Sequence, residues 1–134
     1  MKEFGIMLWL APGMNIQRNP LCGRNFEYYS EDPLISGICA AAETQGVQSH
    51  PGAGTTIKHF ACNNLEDNRA YNNSHVTERT LREIYLKGFE IAIRKAQPLA
   101  LMSSYNMLNG IHTANSVDLL TKAARQEWGF EGLI

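Results

Sequence analysis

The hydrophobic and polar positions of this chain form a series of short apolar runs separated by longer amphipathic stretches. The apolar runs lie at 4–10, 55–60 and 99–103, and a fourth begins at 132. Their length and continuity favour strands that are buried in a sheet. Apolar residues at helical spacing follow each of the first three runs. Strand, long loop, helix and short link thus recur, which predicts parallel strands joined by crossover helices.

Capping residues set the expected bounds of the first helix. Asp32 can cap its amino end, and Pro33 fits its first turn because the missing N–H is not needed there. Gly46 offers the left-handed conformation that commonly ends a helix. The apolar residues at helical spacing, which we expect to face the core, are Ile35, Ile38, Cys39 and Ala42.

The two later helices follow from the same kinds of signal. Thr77 is expected to cap the second helix, and Pro98 bars its continuation. Ser116 is expected to start the third helix and Gly129 to end it. The residues expected to face the core are Leu81, Ile84, Tyr85, Phe89, Ala92, Ile93 and Ala96 in the second helix, and Leu119, Leu120, Ala123, Ala124 and Trp128 in the third.

The long loops follow the strands, whereas the links from helix to strand are short. The second of these loops spans 63–75, and the third spans 104–115 with a turn at Asn109-Gly110. This asymmetry is typical of a (β/α) barrel or a doubly wound sheet whose site lies at the carboxyl ends of the strands. No G-x-G-x-x-G fingerprint follows any strand, which disfavours a nucleotide-dependent enzyme.

The fold class that this pattern predicts is α/β, a partial (β/α)8 TIM-like barrel. A full barrel takes about 250 residues, so a chain of 134 residues corresponds to about three consecutive βα units and the start of a fourth strand. We therefore expect residues 1–134 to be part of a barrel domain that is truncated at both ends.

Composition and charge disfavour several classes of partner. Twelve basic and thirteen acidic residues, with no basic run, argue against nucleic acid, and no apolar run is long enough to span a membrane. Cys22, Cys39 and Cys62 have wide spacings that suit neither a zinc site nor a disulfide framework. Reduced thiols favour the cytoplasm, while secretion stays open because a signal would precede residue 1. We expect no metal site and no cofactor.

Four polar clusters lie at or just beyond the predicted strand ends. They are Gly23–Glu27, Lys58–Phe60, Asn64–Arg69 and Ser103–Asn106. Lysine and arginine can donate hydrogen bonds to vicinal hydroxyls or to a carboxylate, and aromatic faces can pack on a sugar ring. The clusters therefore predict a pocket for a polyol.

A structural interpretation competes with this one at the two arginines. Arg24 near Glu27, and Arg69 near Glu66 or Asp67, are also placed to form local ion pairs that stiffen loops. Tyr105, two residues past an apolar strand in a loop of serine and asparagine, is expected to keep its hydroxyl in water rather than in the core.

Lys58 and His59 favour the functional interpretation. A lysine in a buried strand needs a partner. Neighbours in a regular strand point to opposite faces, so these two side chains cannot both face one ligand from ideal β geometry. We therefore predict a bulge or a non-proline cis peptide at Lys58-His59.

Several segments together resemble the amino-terminal barrel domain of glycoside hydrolase family 3, and in particular the bacterial β-glucosidases. They are Leu10–Ile16, Arg18–Pro33, Lys58–Phe60 and Trp128–Gly132. The resemblance implies that Arg24, Lys58, His59 and Arg69 bind hydroxyls of the sugar at the cleavage subsite, and that Tyr105 lies beside the nucleophile. The family's N-acetylglucosaminidase branch carries Pro-Gly-His after Lys-His-Phe, and the Ala61-Cys62-Asn63 found here disfavours that branch.

The resemblance also implies the reaction and the partners. The parent enzyme would hydrolyse O-glycosyl bonds of β-glucosides or related small saccharides by the retaining mechanism, which uses two carboxyl groups. The nucleophilic aspartate is expected just after Ile134 and the acid/base in a later domain, so this chain holds no catalytic residue and is expected to be inactive alone. Its partners are a small saccharide and the remaining barrel and C-terminal domain. The alternative is a sugar-binding relative that has lost the carboxylates.

Overall fold

A computed structural model describes residues 1–134. The strands are β1 (Leu8–Trp9), β2 (Gly54–Phe60), β3 (Asn73–Ser74), β4 (Ala100–Ser103), β5 (Met107–Leu108) and β6 (Ile111–His112). The helices are α1 (Pro33–Gln48), α2 (Glu78–Thr80), a π-helical turn (Leu81–Tyr85), α3 (Lys87–Ala96) and a π-type C-terminal helix (Asp118–Glu127). Short 3₁₀ turns cover Lys2–Phe4, Asn25–Glu27 and Thr113–Asn115.

The main sheet is parallel, with the strands in the order β1-β2-β4. Leu133 continues this order, because it forms a parallel bridge with Ala100 on the free side of β4. Consecutive strands joined by helices therefore lie side by side, as they do in a (β/α) barrel. The predicted α/β class and the start of a fourth strand are confirmed. No helix combines the length and the apolar character needed to cross a bilayer.

The first strand is shorter than predicted. Only Leu8–Trp9 pairs as a strand, and the chain then runs beside β2 as far as Gly13, which bridges Lys58. Residues 2–4 form a 3₁₀ turn instead. The prediction of a strand buried on both faces is wrong, since Phe4 is 81% and Met7 72% exposed. The physical reason is that Phe4 lies in the 3₁₀ turn and Met7 precedes the two residues that pair with β2, so neither side chain is held in the sheet.

Helix α1 begins as predicted but buries the opposite face. Asp32 accepts a hydrogen bond from the Leu34 amide at 2.7 Å, which confirms the cap. The predicted inner residues Ile35, Ile38, Cys39 and Ala42 are all exposed, so that prediction is wrong. The buried residues are Ser36, Gly37, Ala40, Ala41 and Thr44.

Close packing of two helices explains this reversal. A Cβ on Gly37 would lie 2.9 Å from the carbonyl oxygen of Gly88 in α3, which is too close for any side chain. Only small residues fit where α1 and α3 approach so closely. The helix also passes through Gly46 and ends at Gln48, so the predicted glycine stop is wrong as well.

The other two predicted helices bury most of the residues expected to face the core. The second corresponds to α2, the π-helical turn and α3 together, and the third to the C-terminal helix. Thr77 accepts a hydrogen bond from the Thr80 amide at 3.3 Å, which confirms this cap. Phe60 from the sheet meets Phe89 of α3 and Trp128 edge to face, with ring centroids 5.1 and 5.7 Å apart. These rings form the centre of the hydrophobic core. Among the predicted residues, Ile84 departs most clearly, since it lies in the π-helical turn and is 39% exposed.

A second, small sheet joins two segments that the sequence predicted as loops. Strands β3 and β5 pair in parallel, and β5 and β6 form a hairpin. The predicted turn at Asn109-Gly110 is confirmed, because both residues have positive φ (48° and 90°) as a two-residue hairpin turn requires. Ser74 also donates to the Cys62 carbonyl at 3.1 Å. The small sheet therefore holds the loop after β4 against the loop after β2.

We expect the 134-residue chain to self-associate when it is expressed by itself. The apolar side chains of Leu34, Ile35 and Ile38 are each about half exposed on α1 (55%, 50% and 48%), and one edge of β1 is unpaired. Size-exclusion chromatography with light scattering, together with near-UV circular dichroism, measures this. The substitutions Ile35→Lys and Ile38→Lys should reduce the association. A monodisperse monomer with a cooperative melt would contradict the prediction.

Candidate functional site

The carboxyl ends of the parallel strands bring the polar clusters to one edge of the sheet. Lys58 and His59 lie at the end of β2, and Tyr105 lies two residues after β4. Asn15 follows the segment that runs beside β2, where the Met14 amide donates to the Lys58 carbonyl at 2.8 Å. The candidate site is therefore built from three neighbouring stretches of chain at one edge.

The backbone at the end of β2 is irregular, as the sequence predicted. The Lys58-His59 peptide is cis, and the pairing with β4 shifts in register between Lys58 and Phe60. A second cis peptide, Phe60-Ala61, was not predicted. The two side chains reach the same region: Lys58 pairs with Glu27 at 3.1 Å, and the His59 ring lies 3.4 Å from the hydroxyl of the adjacent Tyr28.

Glu27 joins two of the predicted cations. Its carboxylate accepts hydrogen bonds from the Arg24 Nε and from the Lys58 ammonium. Burial by itself would raise the pKa of this carboxyl, but the hydrogen bonds from Arg24 and Lys58 outweigh it, and the pKa is lowered. Gly13 makes room for this arrangement, because a Cβ there would lie 3.2 Å from the Glu27 Oε2. Glu27 therefore stays anionic between two cations.

His59 is buried and neutral. Its backbone N–H donates to the Asn15 Oδ1 at 2.8 Å, its carbonyl accepts from the Asn15 Nδ2 at 2.9 Å, and its ring Nδ1 lies 3.1 Å from the same Oδ1. Burial, followed by the positive charges of Arg24 and Lys58, lowers the pKa of His59 to about 3. The ring is therefore uncharged over the pH range in which most enzymes work.

Arg69 and Tyr105 form the outer part of the site. The Arg69 guanidinium lies 4.9 Å from the centroid of the Tyr105 ring and pairs with Glu66 at 2.7 Å. Tyr105 is 59% exposed, in agreement with the expectation that it stays out of the core. The charge of Arg69 is also close enough to lower the pKa of His59. The outer pair thus adjoins the inner cluster.

The structure brings all five predicted residues together, and it also contains the local ion pairs of the alternative interpretation. Arg24 pairs with Glu27 and Arg69 with Glu66, each three residues apart. The two interpretations are compatible, since each arginine has further N–H donors beyond those that its partner uses. Ion pairing therefore does not remove Arg24 or Arg69 from the candidate site.

Sequence reasoning did not assign roles to Asn15, Glu27 and Tyr28. Glu27 had one usable signal, since a buried lysine at position 58 requires a nearby anion. Asn15 and Tyr28 had none, because their partner His59 is 44 and 31 residues away in the sequence. Only the packing of the first loop against the end of β2 brings these residues into contact.

The arrangement offers hydrogen-bond donors from three cations, a neutral imidazole and an exposed aromatic face. Such a set suits a polyhydroxylated ligand. Glu27 and Glu66, the two carboxylates that contact these cations, are both engaged in ion pairs with them. No group of three or more His, Cys, Asp or Glu side chains is arranged to hold a metal ion.

A cavity of about 500 Å³ lies apart from these residues. It is lined by Arg18, Asn19, Cys62, Asn64, Leu65, Asn72, Ser74, His75, Val76, Thr77, Thr80 and Tyr85. None of the five predicted residues lines it, and its lining lacks the cluster of charged donors that converges at the strand ends. We therefore locate the candidate site at the strand ends and not in this cavity.

The fold and the site together define a segment of a barrel protein with a polar rim. All residues of the chain, 1–134, match the family model described as the glycosyl hydrolase family 3 N terminal domain. The chain therefore belongs to glycosyl hydrolase family 3.

Individual relatives agree with this assignment. The chain is 56% identical over 123 residues to a beta-glucosidase of Ruminococcus albus, covering 92% of this chain and 13% of that protein. It is 52% identical over 125 residues to an exo-alpha-(1->6)-L-arabinopyranosidase of Bifidobacterium breve, covering 93% and 16%. The structure of beta-glucosidase 3B from Thermotoga neapolitana in complex with alpha-D-glucose matches with a TM-score of 0.96 at 56% identity, covering 98% and 18%. The chain spans less than a fifth of the length of these relatives.

We expect Glu27→Gln to destabilise the protein more than the loss of an ordinary surface ion pair. The change keeps the size of the side chain but leaves the charges of Arg24 and Lys58 uncompensated, which should lower the free energy of unfolding by about 1–3 kcal/mol. Glu83→Gln removes the partner of the exposed Arg79 and should change it by no more than about 0.5 kcal/mol. Chemical denaturation of a longer protein that contains the whole barrel measures both. Equal effects would refute the special role of Glu27.

Proposed function

We propose that this chain is the sugar-binding part of a glycosidase that hydrolyses O-glycosyl bonds of β-glucosides or related small saccharides with retention of configuration. The observation that carries the proposal is the meeting of five side chains at the carboxyl ends of adjacent parallel strands: Arg24, Lys58, His59, Arg69 and Tyr105. Barrel enzymes build their active sites at this edge. Membership of the family supports the reaction class.

Each of the five side chains has a role that its chemistry supports. Arg24, Lys58 and Arg69 donate hydrogen bonds to the hydroxyls of the sugar in the cleavage subsite. His59 contacts a hydroxyl as a neutral group, which adds no positive charge next to an anomeric carbon that becomes positive in the transition state. Tyr105 lies at the outer side, where it holds the geometry of the nucleophile.

The catalytic carboxylates lie outside this chain in the proposed enzyme. Retaining hydrolysis needs two carboxyl groups about 5–5.5 Å apart, and Glu27 and Glu66 are both engaged in ion pairs. We propose that the nucleophilic aspartate follows Ile134 within a few residues and that the acid/base belongs to a later domain. Residues 1–134 are then part of a longer barrel domain, truncated at both ends, and the rest of that barrel and the C-terminal domain are their partners.

The proposed substrate class and location follow from separate observations. The relatives described above include two beta-glucosidases and an arabinopyranosidase, which supports small pyranosides as substrates. Cys22, Cys39 and Cys62 are all free thiols, which favours a reducing compartment, the cytoplasm, for the parent protein.

The codons after Ile134 and the activity of the full-length protein test the proposed function. We expect an aspartate before a tryptophan within about ten residues, and hydrolysis of an aryl β-glucoside that replacement of this aspartate reduces by several orders of magnitude, as loss of a covalent nucleophile does. A non-acidic residue at that position, together with glucose binding but no turnover, would favour the sugar-binding alternative.

We expect Arg24→Ala and His59→Ala in the full-length enzyme to lower kcat/KM by different amounts. The loss should be about 10- to 150-fold for Arg24→Ala, which removes a charged hydrogen bond worth about 1.5–3 kcal/mol, and smaller for the neutral His59. Arg79→Ala, at an exposed arginine on α2, is the matched control and should have no effect. Unchanged efficiency in Arg24→Ala or His59→Ala would remove that residue from the proposed site.

The pH profile of the His59 variant is a further expectation. The pKa of His59 is lowered to about 3, so the ring stays neutral at pH values below as well as above 6.5, the ordinary pKa of histidine. His59→Ala should therefore lower the plateau of kcat/KM without moving the acidic limb of its pH profile. A limb that shifts in the variant would mean that His59 itself titrates in the working range.

A further inference from the structure

Asn15 makes three hydrogen bonds with His59, more than any other side chain does, and the proposed reaction gives it no role. Its side chain bonds the backbone N–H, the backbone carbonyl and the ring of His59, at distances of 2.8, 2.9 and 3.1 Å. Both residues are almost fully buried, with exposed fractions of 3% and 4%. Three bonds from one buried amide to one residue leave neither partner free to rotate.

The backbone of His59 determines which way the Asn15 amide points. A backbone N–H can only donate and a carbonyl can only accept, so the Asn15 oxygen faces the N–H and the Asn15 nitrogen faces the carbonyl. The oxygen is therefore also the atom that lies 3.1 Å from the ring Nδ1. An amide oxygen cannot donate, so the hydrogen bond requires that Nδ1 carries the hydrogen.

The opposite ring nitrogen is then the free acceptor. A neutral imidazole with its hydrogen on Nδ1 has a lone pair on Nε2. Nε2 has no hydrogen-bond partner in the chain, because both ring contacts of His59 involve Nδ1. It is not among the fully buried polar atoms that lack a partner, so it keeps some access to solvent. The Tyr28 hydroxyl, 3.4 Å from Nδ1, cannot donate to a nitrogen that already carries hydrogen.

We propose that Asn15 is a positioning residue that holds His59 in the Nδ1–H tautomer, so that Nε2 accepts a hydrogen bond from a ligand hydroxyl. The ligand class rests on the function proposed above. Lys58, Arg24 and Arg69 can only donate, so His59 supplies the acceptor that complements them. The hydroxyl at this position must donate, and a fluorine or ether oxygen there is rejected as strongly as a missing group.

The tautomer itself can be measured in the full-length protein without any sugar. Nitrogen-15 NMR of histidine-labelled protein distinguishes a protonated from an unprotonated ring nitrogen, and the signal that disappears in His59→Gln identifies His59. We expect the hydrogen on Nδ1 in the unmodified protein and in Tyr28→Phe. In Asn15→Leu, which keeps the size but removes the acceptor, we expect a mixture of tautomers. A hydrogen on Nε2 in the unmodified protein overturns the proposal, even if Asn15→Leu does not fold.

Binding of glucose analogues measures the consequence for the ligand. We would determine inhibition constants of glucose and of its monodeoxy and monodeoxyfluoro analogues, because ground-state binding avoids the effect of fluorine on the reaction itself. The hydroxyl that faces Nε2 is the one whose removal no longer matters in His59→Ala, as in a double-mutant cycle. At that position we expect both analogues to bind about tenfold more weakly than glucose, since each lacks one net hydrogen bond.

The contrast between fluorine and hydrogen decides the outcome. The proposal is supported if the two analogues lose the same affinity in the unmodified enzyme and in Tyr28→Phe. It also requires that the fluoro analogue regains part of its affinity in Asn15→Leu. A fluoro analogue that binds like glucose in the unmodified enzyme overturns it, because Nε2 would then be a donor. If the protein neither binds glucose nor hydrolyses glucosides, the proposed function fails, and the nitrogen-15 measurement still decides the role of Asn15.

Discussion

The anion of Glu27 between Arg24 and Lys58 is the interaction on which the arrangement of the site depends. Lys58 belongs to a central strand, and its ammonium would be unfavourable there without a negative partner. Arg24 belongs to a loop that has no regular structure apart from a short 3₁₀ turn. One carboxylate satisfies both cations and ties the loop to the strand end. Gly13 allows this because it leaves room for the carboxylate beside the backbone.

The cations that keep Glu27 charged have the opposite effect on His59, whose charged form they disfavour. Burial and two neighbouring cations oppose the protonation of its ring, so it stays neutral. The site thus combines cations that only donate hydrogen bonds with one uncharged ring, whose accepting nitrogen Asn15 selects. A sugar hydroxyl can donate and accept at once, and it matches such a set better than a phosphate or a carboxylate, which only accepts.

The parts of the fold that were predicted well have short-range causes. The caps at Asp32 and Thr77 and the turn at Asn109-Gly110 depend on residues within four positions of one another. The irregular backbone at Lys58-His59 was predictable because two neighbouring polar residues in a buried strand conflict with strand geometry. The family resemblance rests on motifs spread over the chain, and it predicts the five candidate site residues.

Apart from the expected stop of α1 at Gly46, the predictions that failed concern contacts between distant segments. Helical spacing predicted that Ile35 and Ile38 face the core, but the close approach of Gly37 to Gly88 buries the opposite face. Apolar character predicted a long first strand, whereas only the residues that find a partner in β2 pair. The pairing of β3 with β5 joins segments about thirty residues apart and has no local signal.

The amino-acid sequence by itself determined the order of the helices and of the strands of the main sheet, the main helix caps and the types of residue at the strand ends, because these depend on local spacing and side-chain chemistry. The tertiary structure alone decided which face of α1 is buried, which anion neutralises Lys58 and which side chain holds His59. Those outcomes depend on distances between residues far apart in the chain, which are set only when α1 packs against α3 and the loop after β1 packs against the end of β2.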